Sequence, residues 1–111
     1  MTTSNLSQQK CQPCNGAMPA LLQAAIDPLM LQLSGWQQYD HLISRTYHFK
    51  NYYQTIAFVN AIAWLSHRED HHPELGVSFN ACRVEYTTHA IHGLSENDFI
   101  CAAKVDALYQ A

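Results

Sequence analysis

The apolar positions change period along the chain, and each change marks an element. From Pro19 onward, Leu22, Ile26, Leu29, Met30 and Leu33 keep helical spacing. Pro19 suits the first turn of that helix, Pro28 falls inside it as a kink, and Gly35 ends it. Trp36, Tyr39, Leu42, Ile43, Tyr47 and Phe49 favour strand, with Asp40-His41 as the turn between two strands. Ile43, Tyr47 and Phe49 share one parity, so one face is buried. Asn51 can cap a second helix. Its apolar stripe is read as Tyr52, Ile56, Val59 and Ala63, with neighbours Ile62 and Trp64, running to about residue 68. Val77 and Phe79, then Val84 and Tyr86, mark two more extended segments, broken near Asn80-Ala81. After Gly93, Ser95 with Asp98 has the form of a capping box, and Ile100, Ala103, Ala107 and Leu108 carry a last helix.

The order is helix, two strands, helix, two strands, helix. It predicts an α+β fold: a four-stranded antiparallel sheet with three helices on one face. Residues 1–17 are rich in Ser, Gln, Asn and Thr and are expected to form a mobile tail, leaving 18–111 as one domain.

Composition narrows the function classes. The chain has 111 residues, 48% of them hydrophobic, which suits one globular domain. The net charge is −3 with no basic run, so no nucleic-acid grip is expected. No apolar run approaches the roughly 20 residues of a membrane span, and the polar start lacks the apolar core of a signal peptide. A cytoplasmic address with reduced thiols is the expectation. Cys11 and Cys14 form a CxxC, but a zinc ribbon needs a second pair, and Cys82 and Cys101 stand apart as expected core thiols.

The histidines carry the candidate chemistry. Seven occur, and His67, His71, His72 and His89 surround Pro73 in one short stretch. Imidazole titrates near neutrality, so such a cluster suits proton transfer or metal binding. If the second helix extended far enough, His67 and His71 would share its face, and with His89 could hold zinc. No HExxH is present and Glu69, Asp70 and Glu74 are not at ligand spacing, so no metal is expected. His89 is placed at the end of the last strand, and Asp98 in the first turn of the last helix. Two or three imidazoles around a pocket can protonate a leaving oxygen and remove a proton elsewhere, with Asp98 fixing one tautomer. His41, His48 and His92 are expected at the surface. No GxSxG and no glycine-rich phosphate loop accompanies the cluster.

The spacing of His67, His71-His72-Pro73, Phe79, His89 and Asp98 resembles the signature of the pterin-4a-carbinolamine dehydratases. Phe49-Lys50-Asn51-Tyr52, Ala57-Phe58-Val59-Asn60 and Gly93 to Phe99 resemble the same family, and the likeness spans roughly residues 20 to 109. His67 stands where the family more often has an acid, and Leu75 where many members have an aromatic. The resemblance implies a small-molecule pterin substrate, a 4a-hydroxytetrahydropterin left by an aromatic amino acid hydroxylase. Its dehydration to quinonoid dihydropterin needs no cofactor. The resemblance also implies acid and base roles for His71, His72 and His89, with Asp98 orienting His89 or fixing the loop. Pro73 and Thr88 would line the pterin pocket through their backbones. A homo-oligomer, dimer or tetramer, is implied as well. Two alternatives remain open: a non-catalytic dimerisation cofactor of a transcription factor, and a dehydratase-like protein acting on another pterin, as in molybdenum-cofactor metabolism.

Overall fold

A computed structural model describes residues 5–13 and 15–109. Its elements are α1 (Gln23–Leu31), β1 (Gln37–Tyr39), β2 (Leu42–His48), α2 (Tyr52–Glu69), β3 (Glu74–Val77), β4 (Ala81–Tyr86) and α3 (Glu96–Leu108). Single 3-10 turns add Leu6–Gln8 and His89–Ile91. The four strands form one antiparallel sheet in the order β1-β2-β4-β3. This is the α+β fold and the element order expected from the apolar pattern.

Alternation along the two central strands decides which face is covered. Ile43 and Tyr47 of β2, and Cys82, Val84 and Tyr86 of β4, are buried on one side. Thr46, His48 and Arg83 on the other parity are exposed. On the covered side the buried residues pack with Phe58, Ile62 and Leu65 of α2 and with Phe99, Ile100 and Val105 of α3 in a single core. At roughly 25 cal/mol per Å² of apolar surface, this layer supplies most of the driving force for folding. Asp106 of α3 ties the helix to the sheet. It accepts from Trp36 Nε1 at 3.0 Å, from Arg45 at 2.8 Å and from the Tyr47 hydroxyl.

Several local expectations hold. Asp40-His41 is the β1–β2 turn, with Asp40 at φ 56°. Asn51 caps α2, its side chain accepting from the Gln54 N–H at 2.9 Å. Ser95 and Asp98 form a complete capping box on α3. His41, His48 and His92 are exposed, and Cys82 and Cys101 are buried.

Other expectations are corrected. Helix α1 begins at Gln23, with Pro19 outside it and Leu22 exposed at its cap. The buried face of α2 is Thr55, Phe58, Ile62 and Leu65, whereas Tyr52, Ala63 and Trp64 face outward. Phe79 is in the β3–β4 turn, with its carbonyl accepting from the Thr55 hydroxyl at 3.0 Å. The segment upstream of α1, expected to be a tail, lies against α3 in its described part. Leu6 is buried, and Lys104 Nζ donates to the Ser7 carbonyl at 2.9 Å. Cys14 lies outside the described residues.

Candidate functional site

The end of α2 sets the site. Its last turn closes on Asp70, which adopts left-handed geometry at φ 55° and donates its N–H to the Ser66 carbonyl. Aspartate tolerates this region better than most side chains. The helix therefore stops before His71, and His67 and His71 share no helical face. His67 remains exposed on α2 with its ring 5.8 Å from Trp64. The turn at Asp70 carries His71 inward instead. Its ring stacks on Tyr86 of β4, with centroids 5.6 Å apart and planes at 9°.

His71 Nε2 lies 2.7 Å from Asp98 Oδ1, and the two side chains are 13% and 0% exposed. Asp98 is thus a carboxylate with no solvent contact, and its remaining capacity is filled within the fold. Oδ2 accepts from the Thr88 hydroxyl at 2.8 Å and from the Ser95 N–H at 3.0 Å. The Ser95 hydroxyl lies 2.7 Å from that of Thr88. Since Thr88 gives its proton to Asp98, Ser95 donates to Thr88. Thr88 also exchanges backbone bonds with Gly93, at 2.9 Å and 3.4 Å, closing the loop that holds His89. A Cβ on Gly93 would come within 2.6 Å of Ala20 Cβ, which explains the glycine. His89 begins a 3-10 turn two residues beyond the Thr87 position, not the end of a strand, since β4 stops at Tyr86. Asp98 orients His71 and fixes the loop; its bonds do not reach His89.

These elements enclose a cavity of about 570 Å³, within the range of small-molecule sites. His71, His72, Thr88 and His89 all line it. Asp98 stands behind His71, and Pro73 leads into β3 away from the lining. Arg68, Glu69, Asp70, Thr87, Ala90 and Asn97 complete the wall with Cys11, Gln12 and Pro13. Three imidazoles around one polar cavity can give and take protons at separate atoms of a bound molecule. Among the described residues no group of three His, Cys, Asp or Glu side chains is gathered to hold a metal ion.

Sequence reasoning missed Tyr86, Glu69, Asn97, Cys11 and Gln12. Tyr86 shares parity with Cys82 and Val84, which was the available signal for an inward ring. Its hydroxyl is buried beside the Cys101 thiol with no hydrogen bond of normal geometry among the described residues, and burial pushes its pKa far up, the Cys101 contact adding to it. Cys101 lies 3.3 Å from Cys11, sulfur to sulfur, and this hydrogen bond together with burial keeps the Cys101 thiol protonated. Asn97 is buried at 6% exposure in the first turn of α3, a polar break in an apolar face.

The family model for pterin 4 alpha carbinolamine dehydratase matches residues 19–108. A provisionally named pterin-4-alpha-carbinolamine dehydratase of Nitrosospira multiformis is 62% identical over 109 residues, covering 98% of this chain and 96% of that protein. A protein of the same provisional name from Nitrosomonas eutropha is 64% identical over 105 residues, 94% of this chain and 93% of its own. Among solved structures, the transcriptional coactivator/pterin dehydratase of Brucella melitensis superposes with a TM-score of 0.77 at 28% identity. That match covers 80% of this chain and 97% of the other.

Proposed function

Since the chain belongs to the pterin 4 alpha carbinolamine dehydratase family, we propose that its cavity dehydrates a 4a-hydroxytetrahydropterin to the quinonoid dihydropterin by histidine acid-base catalysis. One observation carries this reading: His71, His72 and His89 converge on a single cavity, with Asp98 buried behind His71.

The chemistry needs two proton movements. The C4a hydroxyl leaves as water once an acid protonates it, and a base removes the proton from the adjacent ring nitrogen. The electron pair of that N–H forms the new C=N bond, so no oxidant, metal or organic cofactor enters. A neutral His71 that donates Nε2–H to Asp98 carries its lone pair on Nδ1, which suits a base. His72 and His89, both exposed at the cavity wall, are the partners for protonating the hydroxyl. Each positioned group is worth roughly a hundred- to ten-thousand-fold.

With that substrate, the protein would act after an aromatic amino acid hydroxylase, whose spent pterin it would return for reduction. We propose a cytoplasmic homo-oligomer, with no nucleic-acid partner. Among the described residues no helix is long and apolar enough to cross a membrane.

The test follows the dehydration of freshly generated 4a-hydroxytetrahydropterin by ultraviolet absorbance, with intact protein and with His72→Ala. Acceleration by the intact protein, lost at least a hundredfold in the variant, supports the reading. No acceleration over buffer by folded protein would overturn it.

A second reading is a protein-binding cofactor. The exposed apolar side of α2, with Tyr53 at 83% and Trp64 at 64% exposure, favours it as a contact surface. A His71→Ala variant separates the two: it should abolish dehydration and leave a partner complex intact.

A further inference from the structure

One wall of the cavity comes from outside the family's matched region. That region begins at residue 19, whereas Cys11, Gln12 and Pro13 line the cavity beside the histidines. This upstream strand of chain is held by a dedicated set of contacts. Leu6 is buried against the core. The Cys11 N–H donates to Glu69 Oε1 at 3.0 Å. The Gln12 N–H donates to Asn97 Oδ1 at 2.9 Å, and Asn97 Nδ2 returns a bond to the Gln12 carbonyl at 2.6 Å. Asn97 thereby treats Gln12 as a neighbouring strand would, satisfying both its backbone groups. The Cys11 sulfur rests 3.3 Å from that of Cys101.

The anchors are telling. Glu69 lies two residues before His71, and Asn97 immediately precedes Asp98. Glu69 is only 7% exposed, with Lys104 Nζ at 3.9 Å from its other oxygen. A buried carboxylate and a buried amide are thus used to fix a polar segment next to the reacting groups. Unpartnered groups of this kind would be costly, so their geometry is tied to the presence of the segment.

We propose that residues 5–13 form a strap that completes the pterin site, with Gln12 contacting the substrate and Asn97 and Glu69 acting as positioning residues. This rests on the pterin reading above. A pterin ring presents alternating amino, ring N–H and carbonyl groups along its pyrimidine edge. A glutamine amide offers one donor and one acceptor group in a single plane, the complement of such an edge. The exposed Gln12 stands on the cavity wall where such an edge could meet it. The histidines carry the proton transfers, and the strap holds the ring while they act.

The test compares intact protein, Gln12→Ala and Asn97→Ala. Equilibrium binding of 7,8-dihydrobiopterin, a pterin that cannot be dehydrated, is read by fluorescence quenching. KM and kcat are read on 4a-hydroxytetrahydropterin. Gln12→Ala should raise Kd and KM by about tenfold, the effect of one lost hydrogen bond, with KM making the larger part of the loss in kcat/KM. Asn97→Ala should raise both in the same sense, and Asn97→Asp, which keeps the acceptor for the Gln12 N–H, should recover part of the loss. Unchanged Kd and KM in Gln12→Ala overturn the strap, as does a fall in kcat at constant KM. Gln12 is exposed, so that variant carries the test even if Asn97→Ala fails to fold. Absence of both binding and turnover in the intact protein overturns the pterin reading together with the strap. Normal turnover that ignores the variants overturns the strap alone.

Discussion

Asp98 has no exposed surface, yet it meets an imidazole, a hydroxyl and a backbone N–H. Each is a charge-assisted bond, stronger than its neutral counterpart. The same carboxylate therefore caps α3, closes the His89 loop through Thr88 and aims His71. Asp98→Asn keeps the size but replaces one acceptor oxygen by a donor, which cannot serve both His71 Nε2–H and Thr88. Stability should fall by about 2 kcal/mol, read from the urea midpoint, and kcat/KM by about a hundredfold. Wild-type kcat/KM in the folded variant would remove Asp98 from the proposed proton-transfer machinery. The membership of this cluster was legible in the sequence: His71, His72, Thr88 and His89 all reach the cavity. Its internal wiring was not. Asp98 bonds to His71 because Asp70 ends α2 in left-handed geometry, and aspartate carries no sequence mark for that as glycine would. Pro73 shapes the chain into β3 without touching the cavity, a distinction that adjacency in sequence does not reveal.

Element by element, β2 and β4 were read well because a sheet covered on one face enforces alternation, whereas the third segment, read at Val77 and Phe79, lies upstream at Glu74–Val77. The same covered face buries Tyr47 of β2 and Tyr86 of β4. Burial drives both phenols far above their ordinary value near 10, and for Tyr47 the bond to Asp106 adds to it. Below that ordinary value both folded and unfolded phenols are protonated and pH has no hold through them. Above it the unfolded chain releases protons that the folded chain keeps, so stability falls as pH rises past about 10. The 295 nm phenolate absorbance of these two residues should therefore appear together with loss of near-ultraviolet circular dichroism. Tyr86→Phe removes a buried hydroxyl that makes no hydrogen bond of normal geometry among the described residues, only a weak contact with the Cys101 thiol. It should move alkaline unfolding to higher pH and raise neutral-pH stability by about 1 kcal/mol. A destabilised Tyr86→Phe protein would show that the hydroxyl is bonded after all. The upstream segment was read as a tail because its composition is polar. Its order comes from side chains far away in sequence, Glu69, Asn97 and Lys104, which no local window contains.

At the scale of the whole molecule, α2 explains its own misreading. It carries two apolar sides: Thr55, Phe58, Ile62 and Leu65 face the core, with half-buried Val59 packed at its edge, and Tyr52, Tyr53, Ala63 and Trp64 face outward. A helix apolar on both sides belongs between two layers, and a single chain provides only one. A second copy is the partner that fits the proposed homo-oligomer, since self-association would bury the same stripe on each subunit. The mass of the protein in solution should then be a multiple of 12.6 kDa, measured by light scattering after size exclusion. Ala63→Glu with Trp64→Glu places two charges where the copies would meet. Both side chains are exposed in the single chain, so its fold should survive while the assembly falls to 12.6 kDa. The cavity lies at the far end of α2, where the helix stops at Asp70, so the dissociated variant should keep its pterin site. An intact protein that already runs at 12.6 kDa would mean that the outer stripe of α2 is left for a different partner, which is the surface the protein-binding reading requires.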